Sequence, residues 1–223
     1  MEVAVPHPWP ATAAEAERIQ DALRPLVSTA PPPAGWAPAT VAGLDVAYGG
    51  EGDRLAAAVA VLDTATLEVA DTAVAVGTAA FGYVPGLFAF RELPSLLDAL
   101  GRLRTVPDLL VCDGYGLAHP RRFGLACHLG VLTGLPTLGV GKTAFVGTHA
   151  PPGPRRGDSA PLLLDGDEVG RALRTQDGVR PVYVSVGHRL DLDTACALVL
   201  ALAPRYRLPE TTRQADRLSR AAL

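Results

Sequence analysis

Lysine is almost absent from this chain. Of the 20 basic residues among 223, Lys142 is the only lysine and the rest are arginine. Arginine replaces lysine at most solvated positions but not where a compact point charge is needed. The one lysine that survives therefore marks a position held for its chemistry. Cysteine is scarce as well. Cys112, Cys127 and Cys196 are odd in number and form no C-x-x-C pair. That excludes a disulfide framework and a zinc ribbon, and it fits three small buried hydrophobes in a reducing, cytoplasmic setting. An excess of positive charge is also missing: 20 basic against 23 acidic residues give a formal charge of −3, which excludes a strongly basic nucleic-acid coat. No apolar run approaches the ~20 residues of a membrane span. The N-terminus has no basic stretch followed by an apolar one, so no signal peptide is expected. No internal repeat is present.

What remains is globular: 48% hydrophobic and 19% charged residues, in a chain long enough to bury a full core without staples. Thr12 to Val27 predicts a helix, with Thr12 as cap and Glu15 at the capping-box position. The run Pro31-Pro32-Pro33 then reads as a stiff linker. Residues 1–35 are thus expected to be an N-terminal helix and proline-rich linker, ahead of a single domain over 36–223. Thr40–Tyr48, Arg54–Leu62 and Leu67–Val76 predict three strands with short connections, an antiparallel meander. Phe81–Pro85 reads as a loop and Leu87–Leu100 as a helix. Leu109–Asp113 and Pro136–Val140 are short apolar strands separated by a helix over Arg122–Thr133, a pattern of parallel crossovers. Thr148–Ala160 reads as a surface loop. Short strands follow at Leu162–Leu164, Glu168–Thr175 and Val182–Val186, then helices at Leu192–Leu202 and Thr211–Ala221. The fold class is α/β: a mixed sheet, meander on one side and βαβ units on the other, flanked by helices.

Two carboxylates sit where apolar residues belong. Asp45 interrupts the strand Val41-Ala42-Gly43-Leu44-Asp45-Val46-Ala47, and an unpaired carboxylate there is expensive. Asp113 ends the strand Leu109–Asp113, at the carboxyl edge where α/β sheets present their ligands. Each alone reads as a cap or an arginine partner; the pair on one sheet also fits an oxygen-ligated Mg²⁺ or Mn²⁺ site. Taken singly, Glu92 reads as a surface residue of the first helical turns, and His119 and His188 as half-buried histidines. Gly139-Val140-Gly141-Lys142-Thr143 imitates a phosphate loop, but Pro136 stands where that motif needs its first glycine, which excludes a Walker A NTPase. Lys142 still follows a buried strand, so its ammonium reaches the edge occupied by Asp113.

Read in order, six stretches resemble the endonuclease V family. They are Val41–Tyr48, Tyr83–Glu92, Asp113–Gly124, Gly139–Thr143, Tyr183–Leu190 and Tyr206–Asp216. The resemblance implies a ribonuclease H-like fold. It implies a Mg²⁺-dependent endonuclease, with Mn²⁺ as a substitute, acting on DNA that contains deaminated bases, chiefly deoxyinosine. The family nicks the second phosphodiester 3′ to the lesion and leaves a 3′-hydroxyl and a 5′-phosphate. Asp45 and Asp113 match the family's metal-binding aspartates, and Glu92 its third acidic residue, a ligand directly or through water. Lys142 matches the lysine near the attacked phosphate and His188 a site histidine. Tyr83 matches the wedge that fills the gap left by a displaced base. Pro85, Gly86, Phe88, Gly114, Gly116 and His119 are carried over as contacts to the substrate, the glycines because they allow close backbone approach.

Three positions depart from the family's pattern. Gly82 replaces the first proline of the wedge loop, Tyr115 stands where a smaller polar residue or histidine is usual, and Val186 stands for proline before Gly187-His188. The charge is also uneven. Acidic residues exceed basic ones over 1–150, and the reverse holds over 151–223. Arg205, Arg207, Arg213, Arg217 and Arg220, with Arg121, Arg122, Arg155 and Arg156, are candidates for a local phosphate-contacting face or for solvated charge. A monomer acting on DNA is expected. Inosine-containing RNA, a non-cleaving binder and a small-nucleotide phosphohydrolase stay open as alternatives.

Overall fold

A computed structural model describes residues 3–50 and 53–223; residues 1 and 2, at the start of the 1–35 segment, and residues 51 and 52 lie outside it. The strands are β1 (Thr40–Tyr48), β2 (Arg54–Asp63), β3 (Val69–Thr78), β4 (Leu109–Asp113), β5 (Thr137–Gly141), β6 (Ser159–Leu164), β7 (Asp167–Leu173) and β8 (Val182–His188). The helices are α1 (Ala13–Leu23), α2 (Ala89–Gly101), α3 (Leu125–Thr133), α4 (Leu192–Leu202) and α5 (Glu210–Ala221). All eight strands form one sheet in the order β3-β2-β1-β4-β5-β8-β7-β6. β1 to β3 are the antiparallel meander, β1, β4 and β5 run parallel, and β8, β7 and β6 extend the far edge antiparallel. This is the mixed α/β sheet that the sequence predicts, and it agrees with the ribonuclease H-like fold that the family resemblance implies.

Side chains alternate across each strand, and the alternation divides the core. Ala42 and Leu44 of β1 and Leu110 and Cys112 of β4 pack under α2 and α3, with Leu93, Leu96 and Leu129. Val41, Leu109 and Val111 face the other way, with Leu138, Val184, Val199 and Leu202 around α4. On that second face Ala60 and Leu62 of β2 meet Ala215 of α5. α5 lies close because Gly43 lets it: a Cβ there would stand 2.1 Å from the Thr211 carbonyl oxygen.

Several boundaries differ from the sequence expectation, each for a local reason. The first helix stops at Leu23 and tightens into a 3-10 turn over Arg24–Leu26, where Pro25 removes a donor. α1 keeps its Thr12–Glu15 capping box, and buried Gln20 donates through Nε2 to the carbonyls of Gly86 (2.9 Å) and Phe123 (3.2 Å). The third helix begins at Leu125 rather than Arg122, because Arg122 is left-handed (φ +54°) and Gly124 is extended. The strand expected from Leu162 starts earlier, at Ser159, pairing with Leu173 of β7. All three cysteines are buried and free. No helix among the described residues is long and apolar enough to cross a membrane.

Candidate active site

The register of β1 and β4 places Asp45 and Asp113 side by side. Leu44 pairs with Cys112 in the parallel ladder, so the next residues are lateral neighbours on one face of the sheet. Asp45 is 8% exposed, and Ser219 of α5 donates to its Oδ2 at 2.8 Å. Burial pushes its carboxyl up to about 7, and the charges of Asp113 and Asp216 push the same way against the Ser219 bond. Glu92 enters from the first turn of α2 and is 5% exposed. Its pKa stands well above the ordinary value through burial, with Asp45 and Asp113 adding repulsion. The Tyr48 hydroxyl, at the end of β1, donates to Glu92 Oε1 at 3.2 Å. Burial and the Glu92 charge raise the Tyr48 phenol's pKa, so it remains a donor.

Lys142 closes the group. Its Nζ is 2.5 Å from Asp113 Oδ2. Burial disfavours the ammonium, but Asp113, Asp45 and Asp216 hold its pKa above the ordinary lysine value. The backbone beneath it is fixed by Arg207, whose guanidinium donates to the carbonyls of Lys142, Pro181 and Arg180.

These residues form the floor of a cavity of about 450 Å³. It is lined further by the loop carrying Tyr83, Pro85, Gly86 and Phe88 and by Gly114, Tyr115, His119 and Phe145. Tyr83 is 72% exposed at the rim, its ring edge-on to Phe88 at 5.6 Å. Tyr115 stacks on Phe145 at 5.3 Å and donates its hydroxyl to the Thr143 carbonyl at 2.8 Å. His119 is held neutral, its pKa lowered to about 4 by burial. Its Nδ1 accepts from the Arg121 amide and its Nε2 lies 2.8 Å from the Gly86 carbonyl, so the proton belongs on Nε2.

Two expected site residues lie elsewhere. His188 lies at the end of β8 away from Lys142. β8 runs antiparallel to β5, so Tyr183 pairs with Gly141 beside Lys142, whereas His188 pairs with Thr137 at the opposite end. There its Nδ1 accepts the Ser28 amide at 3.1 Å. Gly116 does not line the cavity; it packs on β8, where a Cβ would stand 2.0 Å from the Val186 carbonyl oxygen. The remaining expected residues converge on the one cavity.

Four contributors were not singled out from sequence: Tyr48, Phe145, Asp216 and Ser219. For Ser219 a signal existed. The inward positions of α5 are Thr211, Thr212, Ala215 and Ser219, small and mostly hydroxylated where an ordinary core helix would be aliphatic.

The donor set suits a hard divalent cation, since it is all oxygen and anionic. Asp113 raises the pKa of both Asp45 and Glu92, and Asp45 raises that of Glu92, a repulsion that a cation between them would relieve. No ready-made cluster of three His, Cys, Asp or Glu donors spaced for a metal is found among the described residues; Lys142 draws Asp113 to itself instead.

Comparison with known proteins agrees along almost the whole chain. Residues 23–217 match the family model described as Endonuclease V. An endonuclease V from Nocardia farcinica is 64% identical over 215 residues, covering 96% of this chain and 94% of that protein. The crystal structure of endonuclease V from Streptomyces avermitilis is 60% identical with a TM-score of 0.92, covering 98% of this chain and 96% of that one. The fold is shared with a Ciona intestinalis endonuclease V in complex with a 24mer DNA containing an inosine followed by a ribo-adenosine (TM-score 0.80, 24% identity, 94% and 96% coverage). The chain belongs to the endonuclease V family, a nuclease that hydrolyses phosphodiester bonds.

Proposed function

We propose that this nuclease is Mg²⁺-dependent and nicks DNA at the second phosphodiester 3′ to a deoxyinosine, leaving a 3′-hydroxyl and a 5′-phosphate. One observation carries the reading: an aromatic wall, close backbone and a set of carboxylates with one ammonium line a single cavity of about 450 Å³. The Ciona intestinalis relative, held with inosine-containing DNA, supports the choice of lesion, and the family resemblance supports the cut position.

Asp45 and Asp113 would hold the metal, with Glu92 as a third ligand directly or through water. Mn²⁺ has the same preference for oxygen donors. When bound, the metal polarises a phosphoryl oxygen and lowers the pKa of a water. The chain's own residues prepare the rest. Ser219 and Tyr48 fix the carboxylates of Asp45 and Glu92 before substrate arrives. Lys142 supplies a compact cation at the floor, where negative charge builds on the attacked phosphate. Asp216 adds a fourth carboxylate whose charge reaches both Asp45 and Lys142.

The lesion base must leave the stack to enter the recess. Tyr83, exposed at the rim, compensates part of the lost stacking. Inside, Tyr115 and Phe145 offer an aromatic wall and Gly86 brings backbone close to the ligand. Hypoxanthine lacks the amino group of guanine, so a wall of backbone and neutral His119 favours it by excluding that group.

The reading is tested by incubating the protein with end-labelled strands that carry one deoxyinosine, with Mg²⁺ or with EDTA, and mapping the product ends. A matched inosine RNA run alongside decides the nucleic acid. A nick at another bond, or an equal rate in EDTA, contradicts the reading.

A further inference from the structure

A second recess opens from the same floor. A groove of about 410 Å³ runs between α5 and the Asp113–Lys142 pair, with Arg213, Arg217 and Arg220 along it. It shares Asp113 and Lys142 with the base-sized cavity and no other lining residue. The two recesses therefore meet at the place where the phosphodiester is read to break.

Several arginines of the C-terminal third are already committed. Arg156, Arg174 and Arg207 spend their guanidinium groups on backbone carbonyls. Arg171 lies between Glu168 and Asp193. The arginines of α5 line the groove and are held more loosely. Arg217 has no ion pair among the described residues, and Arg220 pairs only with Asp216, one turn away at 2.8 Å. Arg213 pairs with Glu210 at 3.2 Å and lies 3.6 Å over the ring of Tyr206, which keeps 50% of its surface open. Exposed pairs within one helix are worth ~1 kcal/mol or less, so a phosphate can take these guanidinium groups from Glu210 and Asp216. Spaced i, i+4 and i+7, the three arginines share one face. They span about 10 Å of helix.

We propose that this groove holds the cleaved strand beyond the scissile bond, on the side away from the flipped base. Its phosphates lie on Arg217 and Arg220, and a base stacks on Tyr206, whose ring Arg213 holds. The inference rests on the reading under Proposed function: with the base in the first recess and the cut 3′ to it, the groove receives the 3′ flank. Base–aromatic stacking and cationic contacts of this kind bind single strands without regard to sequence.

The test uses two single-stranded deoxyinosine substrates with the same 5′ flank, one with a long 3′ flank and one ending just past the cut. Cleavage is measured with wild type, with the double variant Arg217→Gln/Arg220→Gln and with Tyr206→Ala. Binding of the long strand is measured in EDTA against salt. Wild type is expected to lose about tenfold in kcat/KM on the short flank, the equivalent of about 1.4 kcal/mol. In the double variant, long and short flanks should give the same rate, and the salt slope of binding should fall by about 1.4, at about 0.7 per lost single-strand phosphate contact. A double variant that keeps the full 3′-flank dependence and the wild-type slope overturns the inference. So does a wild type indifferent to its 3′ flank. If wild type cuts neither strand, the functional reading itself has failed, and a lost salt slope in EDTA would then still report strand contact by α5.

Discussion

The Ser219 hydroxyl on α5 donates a 2.8 Å hydrogen bond to Oδ2 of Asp45 on β1, across 174 residues of sequence. The last helix is therefore part of the carboxylate floor rather than a cover for it. The same helix supplies Asp216, and its approach depends on Gly43. Ser219→Ala removes the hydrogen bond that lowers the pKa of Asp45. A hydrogen bond to a charged group is worth about 1.5–3 kcal/mol, so kcat/KM should drop about tenfold to a hundredfold. The acidic limb of its pH profile should move to higher pH. An unchanged limb would mean that Asp45 does not govern it.

Glu92 trades stability for function. Its folded pKa lies above its unfolded value, so between the two the folded state binds more protons, and its contribution to stability falls as pH rises. Glu92→Gln removes that penalty. In EDTA the variant should melt higher than wild type at pH 8, with the advantage fading toward pH 4, while Mg²⁺-dependent nicking falls by orders of magnitude. Thermal melts across pH check the first half; a variant less stable than wild type at pH 8 contradicts it.

His128 works in the opposite direction. It is fully buried between Phe90 and Phe123, its Nε2 3.1 Å from Nε2 of His7, and burial lowers its pKa to about 3. The unfolded chain takes up a proton near pH 6.5 that the folded chain refuses, so stability drops as pH falls from about 6.5 toward 3. The contribution at pH 4 is on the order of a few kcal/mol. His128→Phe should move the acid-unfolding midpoint to lower pH in denaturant titrations. A midpoint that stays put would assign acid unfolding to other groups.

Tyr83 touches little of the protein, so Tyr83→Ala should leave the melting temperature unchanged. Strand binding in EDTA should weaken about tenfold or more, since base–aromatic stacking is worth about 1–3 kcal/mol. The effect belongs to lesion-containing strands; equal weakening on undamaged DNA would remove the wedge role.

The sheet was legible because its strands are short, apolar and punctuated, and because Asp45 and Asp113 violate that pattern where a ligand site needs them. Lys142 stands out through composition and through its place just after a buried strand. The placement of His188 was not legible: whether β8 ran parallel or antiparallel to β5 decides which end of the sheet it occupies, and nothing in Val182–His188 states the direction. Gly116 is hard to place for a related reason, since a glycine that admits a ligand and one that admits a neighbouring strand look alike in sequence. Ser219 and Tyr48 escaped notice because their partners, Asp45 and Glu92, are brought to them by tertiary packing. The arginines show the same limit. Arg121 pairs with Glu17 and Asp21, and Arg156 and Arg207 hold backbone carbonyls, which the charge pattern alone does not reveal.

The account stands on two adjacent carboxylates acting with a metal. The direct measurement is single-turnover nicking of an end-labelled deoxyinosine strand at saturating Mg²⁺ by wild type, Asp45→Asn and Asp113→Asn, each checked for wild-type circular dichroism. The account predicts cleavage at the second phosphodiester 3′ to the lesion by wild type and a loss of several orders of magnitude in both folded variants. Near-wild-type nicking by either one would contradict it.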